Sequence, residues 1–400
     1  MTSPAPLQGL RVLDFSSMMA GPYCGRWLAD LGADVVKVES PEGDYMRSRP
    51  PMREGRSAYF GHLNAGKRSV VLDLKNRSGQ SLARRLARTA DILIEGARPG
   101  VMGRLRLDYA SLANECPQLI YCSVSGWGQE GPRARQPAYA AIVHAATGFD
   151  RAWQAGQPGD DDAPPACAVQ IADVVAASFA VMGIQSALLS RARTGRGQHV
   201  DLSLGEGMLC LMPLEVVQAQ FGAPSARSSY RATRAADGDF IAAPISQRNF
   251  EDLCDAMGRG ALKRDPRFAT SAERVAHWEE LLAELSAWAR GRSASDCVAA
   301  LEQAGVPAST YNTVRAALDD PQLRARGFMR TVEDGPARYD IAGLPFQLCD
   351  VAIASDTQRV PALGEHTQEV LRDLLSLDTA AIGRLASEGA FGARSPTAAA

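Results

Sequence analysis

Four hundred residues are enough chain for two or three domains around a large buried core. Apolar residues make up 46% and charged residues 22%, ordinary globular usage that excludes wholesale disorder. Lysine and arginine total 43 against 45 acids, so the net charge of −2 gives no footprint for nucleic acid or an anionic membrane.

Leu10–Phe15 (LRVLDF) reads as a short apolar strand, followed by SSMMAGPYC and a helical run from Gly25 to Leu31. Asp34–Glu39, Ser69–Leu74, Ile92–Glu95 and Leu119–Ser125 repeat the strand signal, with helical spacing between them, as in Gly79–Arg88. Strands alternating with helices predict parallel βαβ units and a doubly wound α/β sheet. Val174–Ser190 is uncharged and just short of a membrane span; with Gln185 and three serines it reads as a buried helix. His199–Leu204 adds a strand and Glu206–Gln220 a helix. Glycine, proline, serine and arginine dominate 221–236, a predicted linker. A smaller unit over 237–328 begins with Asp239–Pro244 and Phe250–Met257, and residues 386–400 are a predicted disordered tail.

The eight cysteines show no CxxC or Cys/His cluster, and the five histidines lack metal spacing. Reduced core thiols in a cytoplasmic protein with no metal site are therefore expected. The N-terminus lacks the charged and apolar regions of a signal peptide. No GxGxxG leads from a strand into a helix, and neither GxxxxGK[ST] nor GxSxG occurs. What remains is a set of turns after strands: Ala20-Gly21-Pro22, Arg98-Pro99-Gly100 and Ser125-Gly126-Trp127-Gly128. They are either plain turns or the loops that gather at the carboxyl ends of an open α/β sheet, where ligands bind.

Taken together, LQGLRVLDFSSMMAGPYCGRWLADLGADVVKVESPEGD, LNAGKRSVVLDLK, RPGVMGRLRLDY, YCSVSGWGQEGP, IADVVAASFAVMGIQSALLSRARTGRGQHVDLSL, DPRF, AGVPASTYNT and LGEHT carry a resemblance. From residue 7 to about 375 the chain resembles the class III CoA-transferases, the formyl-CoA, carnitine and benzylsuccinate CoA-transferases, with the α-methylacyl-CoA racemases as relatives. The resemblance implies a Rossmann-like large domain (1–220, completed by 329–385) and a small α/β domain. It further implies ring-shaped subunits interlocked as a homodimer.

It also implies transfer of CoA from an acyl-CoA to a small carboxylic acid, with no tightly bound cofactor. The mechanism would centre on one aspartate, here Asp173, through an aspartyl anhydride and an aspartyl-CoA thioester. From the residues alone Asp173 reads equally as the N-cap of the apolar helix. The implied CoA contacts are Met18, Met19, Asn64, Lys67, Gly96, Ala97, Arg98 and Arg104. Lys67 and Arg104 suit phosphate pairing, or are plain surface charges.

Tyr139 and His144 would line the acyl pocket. Relatives usually carry an acid where this chain has Ala140, and a glutamine where it has His144. Tyr139 stands where racemases have histidine, which argues against racemisation. His144, on one helical face with Ala140, leaves a two-base racemase or epimerase open, beside its reading as a hydrogen-bonded core histidine. The lost acid equally leaves open an acyl-CoA-binding relative without activity. Arg227, Arg231 and Arg234 are either carboxylate-holding groups near the domain junction or linker charges.

Overall fold

Six short, apolar strands lie side by side in parallel: β1 (Arg11–Asp14), β2 (Asp34–Glu39), β3 (Arg68–Val71), β4 (Ile92–Glu95), β5 (Ile120–Ser125) and β6 (His199–Ser203). Their order is β3-β2-β1-β4-β5-β6, that of a doubly wound nucleotide-binding sheet. The computed structural model describes residues 4–155, 163–164, 167–222, 231–351 and 357–392.

Apart from the edge strand β6, whose His199 and Asp201 are exposed, the strands are buried on both faces, with successive side chains alternating across the pleat. Val12, Ile92, Ile94, Ile120 and Cys122 enter one core, with Cys24 and Leu28 of α1 (Ala20–Asp30). Leu13, Val36, Leu93 and Tyr121 enter the other, beneath Leu82 and Leu86 of α3 (Arg77–Ala87). Between α1 and α3, α2 (Ala58–Asn64) is capped by the Ser57 hydroxyl, which accepts from the Phe60 amide at 3.0 Å. Gly21 is needed in the first turn of α1, since a Cβ there would lie 2.3 Å from that of Ser16. Beyond β5, α4 (Ala140–Thr147) ends at Gly148, whose φ of 82° is left-handed.

Two helix expectations are corrected. The apolar helix α5 runs Ile171–Thr194, three residues earlier than the sequence reading, with Gln170 at the N-cap. It is also not buried all round. Its alanine face (Ala172, Ala176, Ala177, Ala180) packs closely on α1 and the strands, whereas Met182 and Leu189 are exposed. The expected single helix over Glu206–Gln220 is two, α6 (Leu204–Leu211) and α7 (Pro213–Phe221). Pro213 breaks the run, because it starts a helix readily but cannot continue one. None of α7 is buried.

The smaller unit, Pro224–Arg326 with a short segment before it, is built on an antiparallel sheet of order β9-β8-β7. Its strands are β7 (Thr233–Arg234), β8 (Asp239–Ala242) and β9 (Ala308–Thr310). Helices α8 (Gln247–Ala256), α9 (Trp278–Ala289) and α10 (Ala294–Gln303) share a core with Phe240, Phe250, Phe268, Leu281 and Leu301. The predicted linker therefore includes residues that form a strand, while 223–230, with Arg227, lie outside the described residues.

From Gly327 the chain belongs to the larger unit again. There β10 (Met329–Asp334) pairs antiparallel with β11 (Ala337–Ala342) and parallel with β12 (Thr357–Arg359). Helices α11 (Thr367–Leu375) and α12 (Thr379–Ser387) then close the second core. The predicted tail is corrected at its start: Ala390 and Phe391 are 0% and 1% exposed, and the Ala390 carbonyl accepts from the Asp73 amide at 2.8 Å. Residues 393–400 lie outside the described residues.

Candidate active site

Chain order reverses between β1 and β4, so the loops leaving their carboxyl ends diverge and leave a crevice. Met18 and Met19 come from the first loop, Gly96, Ala97 and Arg98 from the second. With Ser125 and Gly126 after β5, and Tyr139 and Asp173, they line a cavity of about 230 Å³. A second cavity of about 200 Å³ is lined by Met46, Tyr59, Ala140, His144 and Gln170. Met18, Met19, Tyr139 and Asp173 line both.

A buried ionic network holds the first loop from below. The Asp14 carboxylate accepts from the Ser16 amide at 2.9 Å and from its hydroxyl. Lys37 donates to the Ser16 carbonyl at 3.0 Å and pairs with Asp44 at 2.8 Å. Asp44 in turn accepts from the amides of Met46 at 2.9 Å and Met18 at 3.4 Å. Met18 sits at φ 69°, a left-handed conformation that costs a branched or long side chain energy unless its surroundings impose it.

Lys67 completes this network, donating to Asp14 at 2.8 Å, the Pro22 carbonyl at 2.7 Å and Asn64 Oδ1 at 2.9 Å. Burial lowers its pKa to about 8, against the pull of Asp14. Burial alone would raise Asp14, yet Lys67 and Lys37 hold it below the usual carboxylate value. Asn64 and Lys67, both implied CoA contacts, are thus tied into this network. Both side chains are buried and turned inward, and neither lines the cavities. Arg98 lines the first cavity; Arg104, exposed at the end of the short helix Val101–Arg104, lines neither.

Asp173 occupies the third position of α5, so it is not the N-cap. Burial raises its pKa to about 6, partly offset by a hydrogen bond from the Ala20 backbone. Ala20 opens α1, whose N-cap Met19 offers no side-chain cap, so the carboxylate meets the backbone at the start of that helix. His144 is 1% exposed, and its Nε2 accepts from the Ala172 amide at 3.1 Å. Tyr139, 62% exposed, stands at the N-cap of α4.

The profile of CoA-transferase family III matches residues 7–367. A succinate–glutarate CoA-transferase of Agrobacterium fabrum is 36% identical, over 94% of this chain and 97% of the relative. A succinyl-CoA–D-citramalate CoA-transferase of Chloroflexus aurantiacus is 34% identical, over 94% and 95%. A crystal structure of a CaiB/BaiF family protein from Brucella suis is 36% identical, covering 93% of this chain and all of that one, with a TM-score of 0.81. The chain belongs to CoA-transferase family III. It is a transferase acting on CoA thioesters, as the resemblance implied.

For a CoA-transferase, the useful feature of this site is a carboxylate partly withdrawn from water yet open to two cavities. At neutral pH most of it is ionised, and it is more basic than an ordinary aspartate. Two residues of the site escaped the sequence reading. Tyr59 lies 3.0 Å from Met19 Sδ and 3.1 Å from Gln170 Oε1, and Asp173, after burial, raises its pKa. Glu95 accepts from the Ala97 amide at 2.8 Å and so fixes the second loop. A charge ending an otherwise apolar strand was the signal for Glu95; Tyr59 carried none.

Proposed function

We propose that this transferase moves CoA from an acyl-CoA donor to a free carboxylic acid through covalent intermediates on Asp173. One observation carries the reading: Asp173 is shared by the two cavities, one for the CoA thioester end and one for the acyl group. Asp173 attacks the thioester carbonyl, the C–S bond breaks, and a mixed anhydride forms as CoA thiolate leaves. The thiolate attacks the Asp173 γ-carbon, expelling the donor acid and leaving an aspartyl-CoA thioester. The acceptor carboxylate attacks that carbon and regenerates thiolate. The thiolate then takes the acceptor acyl group and frees Asp173. No net proton is consumed. The Ala20 backbone, which already bonds the carboxylate, is a donor for each oxyanion on the γ-carbon.

The relatives named for succinate, glutarate and D-citramalate make succinyl-CoA the first donor to test and dicarboxylic acids the first acceptors. Arg231 and Arg234 pair with Glu279 and Asp239 inside the smaller unit, so neither is a free carboxylate anchor. The two-base racemase reading is disfavoured, because the Nε2 lone pair of His144 is already occupied by the Ala172 amide. The homodimer draws support from the exposed apolar residues of α5 and α7, Met182, Leu189, Leu214, Val217 and Phe221. A folded monomer in sedimentation at nanomolar concentration would rule out interlocked rings. The enzyme acts in the cytoplasm on this reading.

Hydroxylamine trapping tests the chemistry. Mixed with acyl-CoA, the enzyme should yield a hydroxamate on the peptide bearing Asp173. Turnover with no trappable acyl-enzyme would reject the covalent route.

A further inference from the structure

Helix α5 begins without a side-chain cap of its own, since Gln170 makes no such bond. Of its leading amides, that of Ile171 reaches the Val169 carbonyl at 2.9 Å, and that of Val174 closes on the Gln170 carbonyl at 3.3 Å. Between them the Ala172 amide would be an orphan donor in the core, for Ala172 is fully buried. Its partner comes from another helix, His144 of α4. We infer that His144 is a positioning residue: its Nε2 caps the first turn of α5 and thereby fixes Asp173, the next residue along. This inference rests on the proposed role of Asp173.

The chemistry of the bond specifies the imidazole. Nε2 accepts, so the neutral ring carries its proton on Nδ1. Among the described residues Nδ1 has no partner, and its solvent exposure is negligible. Protonating the ring would remove the lone pair and place a cation at the positive end of a helix. Burial accordingly lowers the His144 pKa, with Asp150 opposing. The packing explains how a histidine serves here: α4 ends at Gly148, and the ring lies 5.2 Å from that of Phe149. A glutamine could present an oxygen acceptor from the same position; an aliphatic side chain could not.

Two variants separate this role from packing and from acid–base chemistry. His144→Leu should lower kcat by about 10-fold, the upper part of the range for losing a helix cap, with KM for the acyl-CoA little changed. Amide exchange in the segment 170–176 should rise in parallel. His144→Gln should bring both readouts back to within about 3-fold of the parent. A His144→Leu enzyme with parental exchange and kcat would overturn the inference. So would a His144→Gln enzyme with parental exchange but the turnover of His144→Leu, since the imidazole would then act on substrate directly. If the parent enzyme transfers no CoA, the proposed function fails, and the exchange comparison still decides whether His144 caps α5.

Discussion

The two walls that meet at Asp173 are held in place by opposite means. The Ser16–Met19 wall rests on full charges: Asp14, Lys37, Asp44 and Lys67 are buried together and pair with one another and with the loop backbone. The α4–α5 wall rests on neutral hydrogen bonds, His144 to Ala172 and Tyr59 to Gln170, beside the raised carboxylate of Asp173. Charges bind a strained loop tightly because each would be costly alone. The neutral contacts bring no counter-charge to the carboxylate, so burial raises its basicity with only the Ala20 backbone opposing. The first wall is built for rigidity, the second for reactivity.

Substituting the reactive charge should give the largest effect. Asp173→Asn should lose at least about 10³-fold in kcat/KM, roughly 4 kcal/mol of barrier, while remaining folded. On the other wall, Lys67→Met leaves Asp14 buried without its directly paired cation. Chemical denaturation should show a loss of about 3–5 kcal/mol. A loss under about 1 kcal/mol would mean the network is not what holds the loop.

The Asp173 pKa adds a sign that distinguishes the walls. Its folded value, about 6, lies above the ordinary value of 3.8, so folding favours the protonated acid. That stabilisation is complete below pH about 4 and is lost as pH rises through about 6. At pH 7 the fold therefore carries the cost of an ionised, half-buried group. Asp173→Asn should be more stable than the parent there by roughly 1–3 kcal/mol, and nearly equal to it at pH 4. The rate has the opposite trend: kcat/KM should fall as pH drops below about 6, tenfold per unit. Tyr59→Phe should give the smallest change, at most about 1 kcal/mol in stability or barrier, since it removes one neutral hydrogen bond.

Much of the sheet was legible because each strand is a short apolar run, and Asp34–Glu39 and Ile92–Glu95 were read with their observed limits. The break before Pro213 was also written in the chain and was overridden by the apolar period around it. Asp173 was singled out by the family resemblance; its position inside the helix was not legible, since the Ala172 amide finds its acceptor on α4. Lys67 looked like a surface cation because its partner Asp14 is distant in sequence. Only the sheet, by setting β1 below Lys67, makes the pair. The charges inside strands, Asp14, Lys37 and Glu39, were the available sign of a buried network.

Oxygen labelling tests the central claim most directly. On the proposed route the acceptor carboxylate supplies the bridging oxygen of the second anhydride, and the final thiolate attack leaves that oxygen on Asp173. With acceptor acid labelled in its carboxylate with heavy oxygen, the peptide bearing Asp173 should gain mass during turnover. Turnover with unlabelled acceptor acid should leave the mass of the regenerated Asp173 peptide unchanged. Transfer that proceeds at full rate while Asp173 stays unlabelled would contradict covalent catalysis at this residue.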